Sequence, residues 1–356
     1  MATSGTVGTV SFNVAKLSEH AMRRCGRKAS DITQEVLESA IDQIMFFQSM
    51  LASQGLYLWT IAQTPVGVIP NQLQMPLPVG VIDVDNANYR TLTLLSSGGT
   101  AFASSGTASG AFNQTYPFSS PCTQTAINGN IGYLFSSAVA VTQAGIWFNV
   151  AGTYDLIFEY SSDGTTYTTA LDVSSTSYAA GQFYWYDIAT PYDALYFRVR
   201  ETGGATLNVS QLAFANNPTD IPLSRLNQDD YANLPNKSYS SDGQRALQYW
   251  LQHGRTYPTA YLWPVPTNAF DYIVFWTHRY LQDVTAAQQE VEVPQRWWEA
   301  LVSDLAVRLC LEDPTFEPNR FQILQGLADK ALKNAQAEER DNSPEYITPA
   351  IAAYTR

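Results

Sequence analysis

The sequence predicts an α+β protein: a helical core carrying a small β sheet or barrel, into which an antiparallel, jelly-roll-like β-sandwich is inserted. Three observations predict this. Near both ends of the chain, apolar residues recur at three- and four-residue steps, as amphipathic helices require. Between residues 91 and 216 the period drops to two, in short runs separated by turn residues, which argues for an antiparallel sandwich. That same segment is rich in Ser, Thr, Gly and Ala, lacks lysine, and carries seven acidic and two basic residues.

Residues 14–26 read as a short helix with Val14, Leu17, Ala21 and Met22 on one face and Gly26 placed to stop it. Ser30 and Asp31 open a longer helix, whose apolar side includes Ile32, Val36, Ala40, Ile44, Phe47 and Leu51. Glu35 suits its positive N-terminal end, and Gly55 ends it. The chain then extends through LYLWTIAQTPV. Inside 91–216, the runs GIWFNV, TYDLIFEYS, TTYTTALDV, QFYWYDI, ALYFRVRE and ATLNVSQLAF alternate as strands. Ser162-Asp163-Gly164 marks a hairpin between two of them.

From residue 218 a polar turn, IPLSRLNQDDYANLPNK, leads into three strands, ALQYWLQHG, TAYLWPVP and DYIVFWTHRYL. VPQRWWEALVSDLAVRLCLED then reads as a helix with Pro294 near its first turn, where a missing N–H is tolerated. Trp298, Leu301, Leu305, Val307, Leu309 and Leu311 supply its apolar side, and Pro314 closes it. A last helix over about Asn319–Glu339 carries Phe321, Leu324, Leu327, Ala328, Ala331, Leu332 and Ala335 on one face. Residues 341–356 hold two prolines and no helical period, and read as an extended tail.

Composition narrows the function classes. The chain has 356 residues, 45% of them hydrophobic, so it can bury ordinary cores. Charged residues make up 15%, against roughly 25% in a typical soluble domain. Net charge is −12, so little is gained by neutralising phosphates, and sequence-reading nucleic-acid binding is not expected. Cys25, Cys122 and Cys310 lie far apart without CxxC spacing, which predicts neither a disulfide framework nor a zinc site and suits a reducing cytoplasm. No signal peptide or membrane span is expected.

No catalytic motif is present. His20, His253 and His278 show no metal-ligand spacing, and GxSxG, GxGxxG after a strand and GxxxxGK[ST] are absent. Asp229-Asp230 and Glu338-Glu339 read as solvated charge in a turn and on a helix face rather than as a glycosidase pair. No enzyme, metal or cofactor is therefore expected. Arg23, Arg24, Arg27 and Lys28 form the one basic cluster. It is a candidate for contact with DNA in a channel or with an acidic partner. The negative end of a helix explains it equally. In Tyr184-Trp185-Tyr186, alternation sends Trp185 to one face and its neighbours to the other. Trp185 is the candidate sugar-binding residue, although strand aromatics more often belong to a core.

Three stretches, GLYLWTI after the helical pair, QLQMPLPVGVIDVDNANYR, and PTDIPLSRLNQDDYANLPNK with the strands that follow, carry a resemblance when taken in order. Together they resemble the head-to-tail adaptor proteins of short-tailed bacteriophages, also called packaged-DNA stabilisation or tail accessory proteins. The resemblance covers about 1–90 and 218–356, with Gly55, Leu56, Leu58 and Trp59 at the helix-to-strand join. It implies a structural virion protein at the head–tail neck, assembled in the host cytoplasm. Copies would form a twelve-fold ring beneath the portal protein, extend the DNA channel, help retain the genome and receive the tail nozzle or hub. DNA would pass without sequence recognition, and no membrane is involved. The C-terminal tail would run along the portal, with Tyr346, Ile347, Ile351 and Tyr354 as its contact residues.

Within the inserted segment, YDLIFEYSSDGTTY, ALYFRVRE and LNVSQLAF resemble the discoidin-like, galactose-binding-like jelly roll. The expected organisation is an adaptor core, first part, over 1–90; the inserted sandwich over 91–216; the second part of the core over 217–340; and the tail over 341–356. The alternative function is a carbohydrate-binding module on a helical scaffold, recognising a host glycan.

Overall fold

The computed structural model describes residues 12–54, 58–125, 128–241, 243–312 and 318–339. The chain divides into two compact units, Met1–Thr60 with Tyr280–Arg356, and Ile61–Arg279. In chain order the first elements are α1 (Val14–Cys25), α2 (Gln34–Gln54), β1 (Ile61–Gly67), β2 (Gln74–Pro76), β3 (Val81–Leu94) and β4 (Thr100–Ala103). Then come β5 (Cys122–Gln124), β6 (Asn130–Ala140), β7 (Gln143–Phe148), β8 (Gly152–Ser161), β9 (Thr168–Tyr178), β10 (Phe183–Asp187) and β11 (Asp193–Glu201). Next are β12 (Leu207–Pro222), β13 (Ser224–Leu226), α3 (Gln228–Ala232), β14 (Gln248–Gln252), β15 (Thr259–Trp263) and β16 (Tyr272–Arg279). The last elements among the described residues are α4 (Trp298–Glu312) and α5 (Pro318–Glu338).

The first unit is helical. The Asn13 side chain accepts from the Lys16 N–H at 3.0 Å and starts α1, and Gly26 ends it in the left-handed conformation at φ 89°. Val14, Leu17, Ala21 and Met22 are buried, as the periodicity predicts, and α1 packs on α4. The second helix starts later than expected, at Gln34. Ala29–Asp31 form a short 3₁₀ turn instead, because the Asp31 carboxylate accepts from the Lys28 N–H at 3.1 Å and holds a local turn. Leu58–Thr60 are likewise a 3₁₀ turn, so the strand begins only at Ile61. Gly55, Leu56 and Pro314 lie outside the described residues.

Two further expectations change in this unit. Cys25 and Cys310 are joined as a disulfide between α1 and α4, with Cα atoms 6.1 Å apart and 285 residues between them. Folding brings together what spacing kept apart. Glu339 is not solvated: its side chain is fully buried, paired with Arg296, whose Nε donates at 2.6 Å, and it accepts from the Trp297 indole N–H at 3.3 Å. On α4, Leu301, Leu305 and Leu309 are buried, but Leu311 is 69% exposed. On α5, Leu324, Ala328 and Ala335 are buried, while Leu327 faces outward together with Ile323.

The second unit is mostly β. Six antiparallel strands follow the order β1-β16-β3-β12-β7-β10, with β5 beside β12. The two ends of this path meet: a Cβ added to Gly67 on β1 would lie 2.4 Å from the Phe183 carbonyl oxygen on β10. Only glycine allows that approach, which closes the sheet into a near-barrel. Its interior is a cluster including Phe118, Trp147, Phe183, Phe270, Tyr272 and Val274. Outside the barrel, β7 and β12 carry Ile146, Phe148, Leu212 and Phe214 into a second core, shared with the five-stranded sheet β4-β6-β11-β8-β9. This is the expected antiparallel sandwich. A third core, with Tyr89, Tyr249, Leu262, Ile273 and Phe275, joins the barrel to the four-stranded sheet β13-β14-β15-β2.

The expected hairpin is present. β8 pairs antiparallel with β9, Gly164 has φ 73°, and Asp163 accepts from the N–H groups of Thr165 and Thr166, each at 2.9 Å. The expected domain boundaries are not where the chain divides. Residue 90/91 falls inside β3 and 216/217 inside β12, and these two strands pair with each other on both sides of the boundaries, Ala215 with Leu94 and Asp220 with Arg90. The change of composition at 91 marks a change of surface, not a break in the ladder.

Candidate functional site

The barrel interior supplies the site. On β10, Phe183, Trp185 and Asp187 point inward, while Tyr184 and Tyr186 pack against the sandwich core. Going outward along the barrel, the close-packed rings end at Trp185 and Tyr272. These are stacked with centroids 5.4 Å apart and planes at 16°. The other face of the indole lies on Gly145, where a Cβ would come within 2.7 Å of the ring. Trp185 is thus 4% exposed with both faces covered. It is no open platform for stacking a sugar, which corrects that part of the expectation for it.

Beyond this layer lies a cavity of about 250 Å³ lined by Gln63, Pro65, Arg90, Trp185, Asp187 and Tyr272, among others. Arg90, its side chain 12% exposed, holds Asp220 through two hydrogen bonds of 2.5 and 2.8 Å. Its third nitrogen donates to the Tyr272 hydroxyl at 3.2 Å and lies 3.6 Å from Asp187. The Asp220 hydrogen bonds, first of all, hold the guanidinium firmly protonated. Burial pushes the Tyr272 phenol up to about 12, so it stays a neutral donor. The Trp185 indole N–H is buried and has no hydrogen-bond partner.

Arg90, Asp187 and Asp220 come from three strands far apart in sequence, and no local motif announces them. Alternation could have placed Asp187 on the face of Trp185, two residues away. A larger groove, about 750 Å³, runs beside β13 and β14 with Arg225, Asn227, Trp250, Gln252 and His253. It is open, and Trp250 is stacked with Tyr231 at 5.0 Å and lies 4.9 Å from Tyr261, so little ring surface is free.

The basic cluster sits at the end of α1 as the dipole account requires, with Arg23 and Arg24 in the last turn. Both are engaged within the helical unit. Arg23 pairs with Glu19, and Arg24 pairs with Glu299 at 2.7 Å and bonds Ser303. Lys28 is exposed at its backbone turn, and Arg27 lines a cavity of about 380 Å³ with Asp31, Glu35 and Glu312. Those three carboxylates make that cavity a poor phosphate site. Asp229 and Asp230 occupy the exposed first turn of α3. His278 Nε2 lies 2.8 Å from Asp85. Tyr346, Ile347, Ile351 and Tyr354 lie outside the described residues.

No protein-family model and no curated protein matches this chain. Among solved structures it is similar to carbohydrate-binding modules of family 32, which are discoidin-like. One, from Clostridium perfringens in complex with GalNAc-β-1,3-galactose, is 10% identical; the match covers 34% of this chain and 99% of the module at a TM-score of 0.30. A second, from Streptococcus pneumoniae EndoD, is 11% identical and covers 35% and 100% at a TM-score of 0.30. A third, from C. perfringens NanJ in complex with galactose, is 15% identical and covers 36% and 99% at a TM-score of 0.29. The adaptor resemblance gains no support from these comparisons.

Proposed function

We propose that this chain is a structural virion protein of the head-to-tail adaptor kind, without catalytic activity. The observation that carries the reading is the helical unit. Both ends of the chain build it, and they lie within the segments that carry the adaptor resemblance. It leaves Phe46, Leu311, Ile323 and Leu327 at least half exposed, as a surface awaiting a neighbour would. In this reading the helical unit meets the portal protein and adjacent copies in a ring, and the tail at 341–356 orders on the portal. The β unit faces the tail nozzle or another virion part, and DNA passes through without sequence recognition. Negative-stain imaging of the full chain mixed with its cognate portal tests this. A ring on the portal supports the reading, and no association sinks it. Loss of binding on deleting 341–356 would assign the tail its role.

A second reading is a carbohydrate-binding module on a helical scaffold, recognising a host glycan. The observation favouring it is the barrel-mouth cavity, lined by Gln63, Asp187 and Tyr272 among others. A glycan array with the full chain separates it from the first reading.

A further inference from the structure

We infer that the outer face of the five-stranded sheet binds an acidic sugar residue, whose carboxylate is taken by the open end of the Arg198 guanidinium. The inference rests on the glycan-binding reading and goes beyond its barrel-mouth cavity. It starts from where the cations are. Residues 91–216 hold seven acids and only two cations, Arg198 and Arg200. Both project from β11 on the side away from the sandwich core, since they alternate with Phe197 and Val199, which belong to that core. Between them lies a single carboxylate, Glu159 of the neighbouring β8, its side chain 6% exposed.

One guanidinium suffices to neutralise one carboxylate, so the second leaves a surplus positive charge. No other carboxylate pairs with either arginine among the described residues. The two arginines are also engaged unequally. Arg200 uses all three nitrogens: Nε and Nη2 donate to Glu159 at 3.1 and 2.7 Å, and Nη1 donates to Asn128 at 3.3 Å. Arg198 donates to Glu159 through Nε alone, at 2.6 Å. Its Nη1 and Nη2 make no hydrogen bond among the described residues, and neither is a buried atom left without a partner, so both meet solvent. The guanidinium is nevertheless held in place, since its carbon lies 3.5 Å from the ring centroid of Tyr167. A planar fork fixed at one end and stacked on a ring has little freedom left to lose when an anion arrives.

Charge and shape select the ligand. A carboxylate carries one charge and two coplanar oxygens, which match the surplus and the two parallel donors. A phosphate monoester carries nearly two charges at neutral pH and would overfill the site. The net charge of −12 opposes nucleic acid and acidic protein surfaces, a second copy included, whereas one acidic sugar residue adds a single charge. Beside the fork stand Asn128 and Thr169, the latter paired across the ladder with Glu159, and both are exposed. Their amide and hydroxyl can meet the hydroxyls of a sugar ring.

The test uses the full chain labelled with ¹⁵N-arginine at low ionic strength. The Arg198 Nε–H resonance is assigned by its loss in Arg198→Lys or, should that variant not fold, by its displacement in Tyr167→Leu. It is followed while glucuronate, glucose or N-acetylglutamate is added to millimolar concentration. Glucuronate should move it saturably, and glucose should not. Arg198→Lys keeps a cation facing Glu159 but loses the fork, and should bind glucuronate about tenfold more weakly. The inference is overturned if glucuronate leaves the resonance unmoved, if glucose moves it as far, if N-acetylglutamate binds as tightly as glucuronate, or if Arg198→Lys binds as the parent does. A sugar that binds without moving this resonance overturns it too, but leaves glycan binding standing elsewhere on the chain.

Discussion

Tyr89 donates its phenolic hydrogen to Asp271 at 2.8 Å, in a place where the tyrosine is fully buried and the aspartate 7% exposed. Burial pushes the Asp271 carboxyl up from 3.8 to about 6, although the hydrogen bonds from Tyr89 and Asn268 pull the other way. The same burial, and then the nearby carboxylate, raise the Tyr89 phenol well above its usual range. The pair is therefore a buried polar contact that holds its protons more tightly than the free groups do.

A raised folded-state value means that the folded protein holds the proton more tightly than the unfolded chain. Asp271 thus contributes stability that is fully present below about 3.8 and is lost as pH rises through about 6. The full effect is on the order of 3 kcal/mol, at about 1.4 kcal/mol per pH unit. Asp271→Asn keeps an acceptor for Tyr89 and removes the titration. Urea unfolding at several pH values between about 4 and 8 should show the parent losing stability relative to the variant across this window. Parallel curves would refute the assignment.

Glu159 on β8 carries the opposite sign. Its side chain is 6% exposed and bonded by Arg198 at 2.6 Å and Arg200 at 2.7 Å, while Arg198 lies 3.5 Å from the ring centroid of Tyr167. Burial alone would raise its carboxyl, but the two guanidinium groups outweigh that and hold it below the ordinary value. Stability from this group is present above the unfolded value of 4.5 and is lost as pH falls through the folded one. Glu159→Gln leaves two cations facing one amide and should cost about 3 kcal/mol at neutral pH. A loss below 1 kcal/mol, about the worth of an exposed pair, would show that the three side chains are solvated.

Much of the fold is legible in the sequence, and what is not has physical reasons. The helix α1, its glycine cap and the 162–164 hairpin depend on neighbours a few residues away, so local patterns reveal them. A small sheet or barrel is expected, but its closure does not read out, because it depends on Gly67 meeting Phe183, nor does its mouth, which depends on Arg90 meeting Asp220. Register sets both encounters across more than a hundred residues. Glu339 reads as a surface charge because nothing nearby in sequence shows that Arg296 and Trp297 enclose it. The alternation around Trp185 correctly separates it from Tyr184 and Tyr186, but it cannot say that Tyr272 already occupies its face.

The shared barrel interior predicts where the chain can be cut. Leu92, Phe118, Trp147, Phe183, Trp185 and Ala213 come from the middle segment, whereas Ala269, Phe270, Tyr272 and Val274 come from outside it. A fragment of 88–217 would cut through β3 and β12, sever β3 from β16 and uncover that core where Ala269, Phe270, Tyr272 and Val274 are lost. A fragment of 61–279 keeps all three cores. The longer fragment should melt cooperatively with β-type circular dichroism, and the shorter should not. A cooperative melt for 88–217 would mean that the sandwich core suffices by itself.

The Cys25–Cys310 link joins α1 to α4 across most of the chain. Closing so long a loop removes disorder from the unfolded chain, and about 2–4 kcal/mol of stabilisation is typical. Non-reducing digestion should release one cross-linked peptide pair containing both residues. Cys310→Ser should lower the unfolding midpoint in oxidising buffer and have a far smaller effect with reductant present. Equal midpoints for parent and variant under oxidising conditions would remove the link from the stability argument.

The exposed side of α5 tests the assembly reading most directly. Ile323 and Leu327 stand four residues apart on one helix face, 65% and 50% exposed, while Leu324 and Ala328 are buried. A face that served only solubility would carry polar residues there. Replacing both by glutamate removes no buried contact, so the melting behaviour should change little, by about 0.5 kcal/mol per site or less. If that face meets a neighbouring copy or the portal, the added charges would be desolvated on docking, and assembly should fail. Co-sedimentation of Ile323→Glu/Leu327→Glu with portal rings measures this, with circular dichroism confirming the fold. Undiminished co-sedimentation would clear α5 of any part in the interface and move the search to Phe46 on α2, which is 59% exposed.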